Sequence, residues 1–121
     1  MAFRKIGVVG AGTMGNGIAQ AFAQAGFEVV MSDVAQAALD RALATISGSY
    51  DRLIKKEKMT AEQKAAALGR IKTATDLAAL KDADLVIEAA TENLDLKLKI
   101  FRQLDDLAKP DAVIASNTSS I

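Results

Sequence analysis

The chain has 121 residues, half of them hydrophobic and a quarter charged, which is enough for one buried core. Fifteen Lys and Arg cancel fifteen Asp and Glu, and this balance argues against nucleic acid as a partner, because phosphate backbones are bound through accumulated cations. Cys and His are both absent, which removes disulfides, thiolate nucleophiles, imidazole acid–base chemistry and the commonest metal ligands, so no metal site is expected.

Residues 4–9 form a short apolar run with Ile6, Val8 and Val9, ended by Gly10, as a strand buried on both faces would read. Residues 15–25 carry Ile18, Phe22 and Ala25 at helical spacing, with Gly26 as the expected stop. Residues 28–32 read as a second strand, followed by Asp33. From Ala35 to about Lys56 the pattern is helical, with Leu39, Leu43, Ile46, Tyr50, Leu53 and Ile54 at three- and four-residue steps. Thr60 and Gln63 have capping-box spacing for a further helix that Gly69 can end. The two helices predict a hairpin over about 35–69, longer than a crossover between strands needs and expected to project from the sheet.

Residues 71–74 are a short strand, 76–80 a single helical turn, and 84–89 a strong strand. Residues 93–108 place Leu96, Ile100, Phe101, Leu104 and Leu107 at helical spacing, with Asn93 as N-cap and Lys109-Pro110 as the stop. Residues 112–116 are a fifth strand, expected to be buried, and a polar loop, Asn117–Ile121, follows. Alternating strands and helices imply an α/β domain with a doubly wound parallel sheet. No apolar run approaches the roughly 18 residues of a membrane span. Gly7, Gly10 and Gly12 interrupt the apolar stretch after Arg4 and Lys5, unlike a signal peptide. A cytoplasmic protein without membrane contact is expected.

Gly10-Ala11-Gly12-Thr13-Met14-Gly15 is G-x-G-x-x-G placed between a strand and a helix, the context in which the motif binds a dinucleotide diphosphate. Gly10 permits the tight turn, Gly12 admits the diphosphate to the backbone, and Gly15 lets helix and strand approach. The amides at the helix start then face the anion. Asp33 ends the second strand near the expected offset for an acid that binds the adenosine ribose, and Val34 supplies no cation for a 2′-phosphate. NAD is therefore expected rather than NADP. An ordinary glycine turn followed by an N-capping Asp is the plainer account of the same residues.

Thr91-Glu92-Asn93 and Lys97 follow the fourth strand, and Ser116-Asn117-Thr118-Ser119-Ser120 ends the fifth. Both clusters fall at carboxyl ends of strands, where open α/β sheets bind ligands. Read alone, Asn93 fits a helix cap and the Ser/Thr/Asn run a plain turn equally well. Together, Ile6 to Gly15, Glu88-Ala89-Ala90-Thr91-Glu92-Asn93 and Ala115 to Ser120 closely resemble the NAD-binding domain of the 3-hydroxyacyl-CoA dehydrogenases, over the whole chain.

The resemblance implies a Rossmann-type sheet, here incomplete at its carboxyl-terminal end, with residues 1–121 as a partial NAD-binding domain. It implies reversible hydride transfer between NAD and C3 of a 3-hydroxyacyl-CoA. By matching position, Gly10, Ala11, Gly12, Thr13, Met14 and Gly15 hold the diphosphate and Asp33 the ribose, while Glu92 and Lys97 lie on the nicotinamide side. Ser119 orients the substrate near its C3 oxygen and near the nicotinamide; it is no nucleophile, since no base is present to activate it. Ser49 and Lys56 match positions that contact CoA, within a basic cluster with Arg52, Lys55 and Lys58 that could equally be a solvated helix face. The family's acid–base His–Glu pair and its helical, dimer-forming C-terminal domain have no counterpart in these residues. The chain alone is thus expected to bind NAD weakly and not to turn over, and the full-length protein to be a homodimer acting on acyl-CoA. Three alternatives stay open on the residues: a related hydroxyacid dehydrogenase, a non-catalytic dinucleotide-binding module, and an FAD-binding domain.

Overall fold

The computed structural model describes residues 3–89 and 94–116. Five parallel strands, β1 (Lys5–Val9), β2 (Glu28–Ser32), β3 (Ile71–Ala74), β4 (Leu85–Glu88) and β5 (Val113–Ser116), form one sheet in the order β3-β2-β1-β4-β5. The helices are α1 (Thr13–Gln24), α2 (Gln36–Lys55), α3 (Ala61–Gly69) and α4 (Leu94–Leu107), with a 3-10 turn at Leu77–Leu80. Every expected strand and helix is present within about two residues of its expected bounds, but the projection expected of residues 35–69 is not confirmed, because Leu39, Ala42, Ile46, Tyr50, Met59 and Ala67 are buried in one core with sheet residues.

The sheet is covered on both faces, as a doubly wound fold requires. Ile6, Val8, Val29 and Met31 pack with Leu39, Ala42, Ile46 and Tyr50 of α2 on one side. Val9, Val30 and Val86 pack with Leu80, Ala83, Ile100 and Leu104 on the other. Adjacent residues of one strand therefore serve different cores, which is the two-residue period of an extended chain.

The face that α1 turns to the sheet centres on Gly15, Ala19 and Ala23, all buried. Ile18 and Phe22, which carry the periodic signal in the sequence, are only partly buried at the flanks of that core, and Ala25 is exposed. Small side chains at the centre bring the helix axis close to the strands. Phe22 and Phe27 meet edge to face at 5.4 Å between centroids.

α2 buries Leu39, Ala42, Ile46 and Tyr50 along its length, and the Tyr50 hydroxyl donates to the Gln20 carbonyl of α1 at 2.7 Å. Burial pushes the Tyr50 hydroxyl pKa up, against an opposing effect of the Arg70 charge. Arg70 in turn donates to the Ala23 carbonyl at 2.8 Å. Over this span α2 thus lies against α1, and solvent reaches its other side. The capping box of α3 is formed in both directions: the Gln63 amide donates to Thr60 Oγ1, and the Thr60 amide to Gln63 Oε1. Between the helices Glu57 has φ +60, and its neighbour's amide, Lys58 N–H, donates back to the Leu53 carbonyl at 2.8 Å, closing the helix as a glycine would.

At the amino border of the sheet, Asp84 Oδ2 accepts the amides of Arg4 at 2.8 Å and Lys5 at 3.0 Å, and Oδ1 accepts from Lys109 Nζ. The Lys109 hydrogen bond and then the two amides hold this carboxyl well below the usual carboxylate range. β5 is the edge strand, and its Val113 is exposed. Among the described residues no strand follows β5 in the sheet order, so the burial expected of this strand is not met within them.

Candidate functional site

The last residues of all five strands lie in one row across the sheet: Ala74, Ser32, Val9, Glu88 and Ser116 are successive register partners. The residues that follow these positions share the carboxyl border. Gly10 follows Val9, and Asp33 follows Ser32. The strand order reverses at β1, since β2 and β3 lie on one side and β4 and β5 on the other. A crevice opens at such a reversal, and ligands of open α/β sheets occupy it.

The glycine turn is built as its spacing predicts. Gly10 has φ +106, a conformation that a side chain would strain. A Cβ on Gly15 would stand 1.8 Å from the Gly10 carbonyl oxygen, so the turn and the helix can close only around a hydrogen atom. A Cβ on Gly12 would meet nothing within 4 Å; it would project into open space over the start of α1. That helix has neither a capping side chain nor an acid in its first turn. Its first amides, at Thr13, Met14 and Gly15, have no intrahelical partner by geometry and favour an anion. The residues present fit a diphosphate, because the space a Cβ would fill is open and the donors beneath it are bare.

Asp33 does more than its sequence position indicates. Its Oδ2 accepts the Ala11 amide at 2.9 Å and its Oδ1 the Ala35 amide at 2.9 Å. One carboxylate thereby ties the glycine turn to the start of α2, whose N-cap is Ala35 rather than Asp33. A carboxylate has about four acceptor positions, so lone pairs remain on both oxygens for ribose hydroxyls. Next to Asp33, a groove of about 620 Å³ is lined by Val34, Thr75, Leu77, Gln103 and the acids Asp76 and Asp106, with no Lys or Arg among its lining residues. Val34 is 93% exposed. This surface repels rather than holds a 2′-phosphate.

Lys97 is buried in the first turn of α4, and its Nζ lies 3.1 Å from Oε1 of Glu88, which is fully buried. Sequence reasoning singled out Lys97 but treated Glu88 only as a letter in a motif. The available signal was a charged residue ending the otherwise apolar strand Leu-Val-Ile-Glu. Thr91, Glu92, Asn93 and residues 117–121, Ser119 among them, lie outside the described residues.

Ser49, Arg52 and Lys56 share one side of α2 by their three- and four-residue spacing. The Arg52 guanidinium donates to Ser49 Oγ at 3.0 Å, and Lys56 caps the helix at its exposed end. Among the described residues no hydrogen bond or ion pair joins this side to the glycine turn, so the structure shows two separate groupings. No group of three or more potential metal ligands occurs among the described residues, and none of their helices is long and apolar enough to cross a membrane.

A glycine cradle at a strand reversal, closed by an acid and flanked by an anion-repelling groove, defines a dinucleotide-binding domain for a cofactor with a free 2′-hydroxyl. Residues 5–121 match the family model described as 3-hydroxyacyl-CoA dehydrogenase, NAD binding domain, and the chain belongs to that family. It is 50% identical to a 3-hydroxybutyryl-CoA dehydrogenase of Bradyrhizobium diazoefficiens, over 98% of this chain and 40% of the relative. It is 41% identical to a 3-hydroxyadipyl-CoA dehydrogenase of Escherichia coli, over 96% of this chain and 24% of that protein. The crystal structure of (S)-3-hydroxybutyryl-CoA dehydrogenase from Ralstonia eutropha superposes with a TM-score of 0.96 at 57% identity, over 99% of this chain and 42% of that one. The chain thus spans about two fifths of the Bradyrhizobium and Ralstonia 3-hydroxybutyryl-CoA dehydrogenases, and it is an NAD-binding domain.

Proposed function

We propose that this chain is the cofactor-binding part of an NAD-dependent 3-hydroxyacyl-CoA dehydrogenase acting on short acyl chains such as 3-hydroxybutyryl-CoA. The observation that carries the reading is the hydrogen bond from the Ala11 amide to Asp33, which fixes a phosphate turn and a ribose acid in one rigid unit, in a chain of this family.

Bound there, the nicotinamide ring would exchange a hydride with C3 of the substrate. The Gly10 and Ala11 amides are taken by the Ser32 carbonyl and by Asp33, so the amides from Gly12 to Gly15 bind the diphosphate, and Asp33 accepts the adenosine ribose hydroxyls. Lys97 stands across β1 from Asp33 and so serves the nicotinamide half. By family resemblance Glu92 joins it, and Ser119 orients the substrate's C3 oxygen and stabilises charge on it. The solvent-facing side of the α2–α3 hairpin is the substrate arm. Ser49, Arg52 and Lys56 take phosphate oxygens of CoA there, with Lys55 nearby, and Arg suits phosphate because its donors form a fork. Proton transfer falls to a His–Glu pair supplied by the rest of the polypeptide, a cytoplasmic homodimer.

The test is oxidation of NADH by acetoacetyl-CoA in the full-length protein, followed at 340 nm. Turnover with the CoA ester and none with free 3-oxo acids is expected. NADH binding with no effect of any CoA ester would replace this reading with a non-catalytic dinucleotide module.

A further inference from the structure

Glu88 closes β4 in the middle of the row formed by the strand ends, between Val9 and Ser116. It is fully buried, and its partner Lys97 is nearly so. Burying two charges costs more than exposing them, and an apolar pair of the same size usually packs as well. A carboxylate and an ammonium placed together at the floor of a ligand crevice therefore call for a reason other than stability.

The row supplies one. Asp33 marks the adenosine end beside β2, and the cradle lies over β1. A dinucleotide running on in the same direction brings its second half over β4, where the pair sits. That half carries a positive ring in the oxidised cofactor and a neutral one in the reduced cofactor. An ammonium alone would repel the oxidised form; a carboxylate oxygen 3.1 Å from that ammonium offsets the repulsion. We propose that Glu88 is a positioning residue that fixes Lys97 at this border and offsets its charge, and so lets the site accept the oxidised cofactor as well as the reduced one. This rests on the cofactor reading given above.

The test compares dissociation constants of NAD+, NADH and ADP-ribose for the full-length protein, for Glu88→Gln, for Lys97→Met and for the double variant, by titration calorimetry. Glu88→Gln leaves one added positive charge, so affinity for NAD+ should fall relative to NADH by about tenfold, the order expected of one elementary charge in a site shielded from water. ADP-ribose lacks the ring, and its affinity should stay unchanged. Lys97→Met should move the NAD+ to NADH ratio the opposite way, and the double variant should restore it. If Glu88→Gln does not fold, the Lys97→Met and double variants decide, because the ratio must still differ between them. An unchanged ratio, or equal losses for all three ligands, overturns the proposal and leaves the pair a structural one. Failure of the unaltered protein to bind any of the three overturns the cofactor reading itself.

Discussion

The carboxylate of Asp33 accepts the amide of Ala11 across 22 residues of sequence, so the acid proposed to bind the ribose also holds the glycine turn in place. On that proposal, specificity and turn geometry are coupled. In Asp33→Ser with Val34→Arg, the preference should move toward NADP, but a single hydroxyl cannot replace both carboxylate contacts to Ala11 and Ala35. A loss of about 1–2 kcal/mol is expected from the missing charged acceptor. Titrations with NADH and NADPH, alongside urea unfolding, measure the two effects separately.

Gly12 and Gly15 should respond in opposite ways to the same change. Gly15→Ala sets a Cβ against the Gly10 carbonyl, and since backbone must move, a cost of about 3 kcal/mol or more in stability is expected. Gly12→Ala meets no protein atom, so its stability should stay within about 0.5 kcal/mol of the unaltered protein. Its NADH affinity should nevertheless drop sharply. Equal NADH binding in Gly12→Ala would show that the diphosphate does not approach that position.

Asp84 predicts an acid limb of stability. Its folded pKa lies below the ordinary value, because Lys109 and the Arg4 and Lys5 amides favour the charged form. The contribution is therefore complete above the unfolded carboxyl pKa of about 4 and disappears as pH falls through the depressed folded value. Asp84→Asn should be less stable at pH 7 and should show a flatter decline between about pH 4 and pH 2. Urea midpoints across that range provide the check.

Glu57 closes α2 in a left-handed conformation, at φ +60. Glycine adopts that conformation without the steric penalty, at some entropic cost, so Glu57→Gly should stabilise the domain by about 0.5–1 kcal/mol. A rise in the urea midpoint with an unchanged slope is the expected result.

What could be read from the sequence follows from what each feature demands of the backbone. Gly10 and Gly15 are legible because a side chain is strained at φ +106 and none fits a 1.8 Å approach. Thr60 and Gln63 were legible because a capping box is a local pattern. The centre of the α1 contact, Gly15, Ala19 and Ala23, was not, because small side chains add little to a hydrophobic pattern while setting how near a helix can come. In α4 the periodicity assigned Leu96 to the core, yet Leu96 is 45% exposed and Lys97 is buried. The cause is Glu88, nine residues earlier on another element, a partner that spacing along one helix cannot reveal.

Parallel strands put every beginning on one border and every ending on the other. The Asp84 clamp fastens β1 where the polypeptide comes into the sheet, a full strand length from the glycine turn. An affinity handle or surface linker joined ahead of Phe3 would accordingly leave from the far side. The protein could be immobilised on a sensor chip through that end with its crevice open to the flowing analyte.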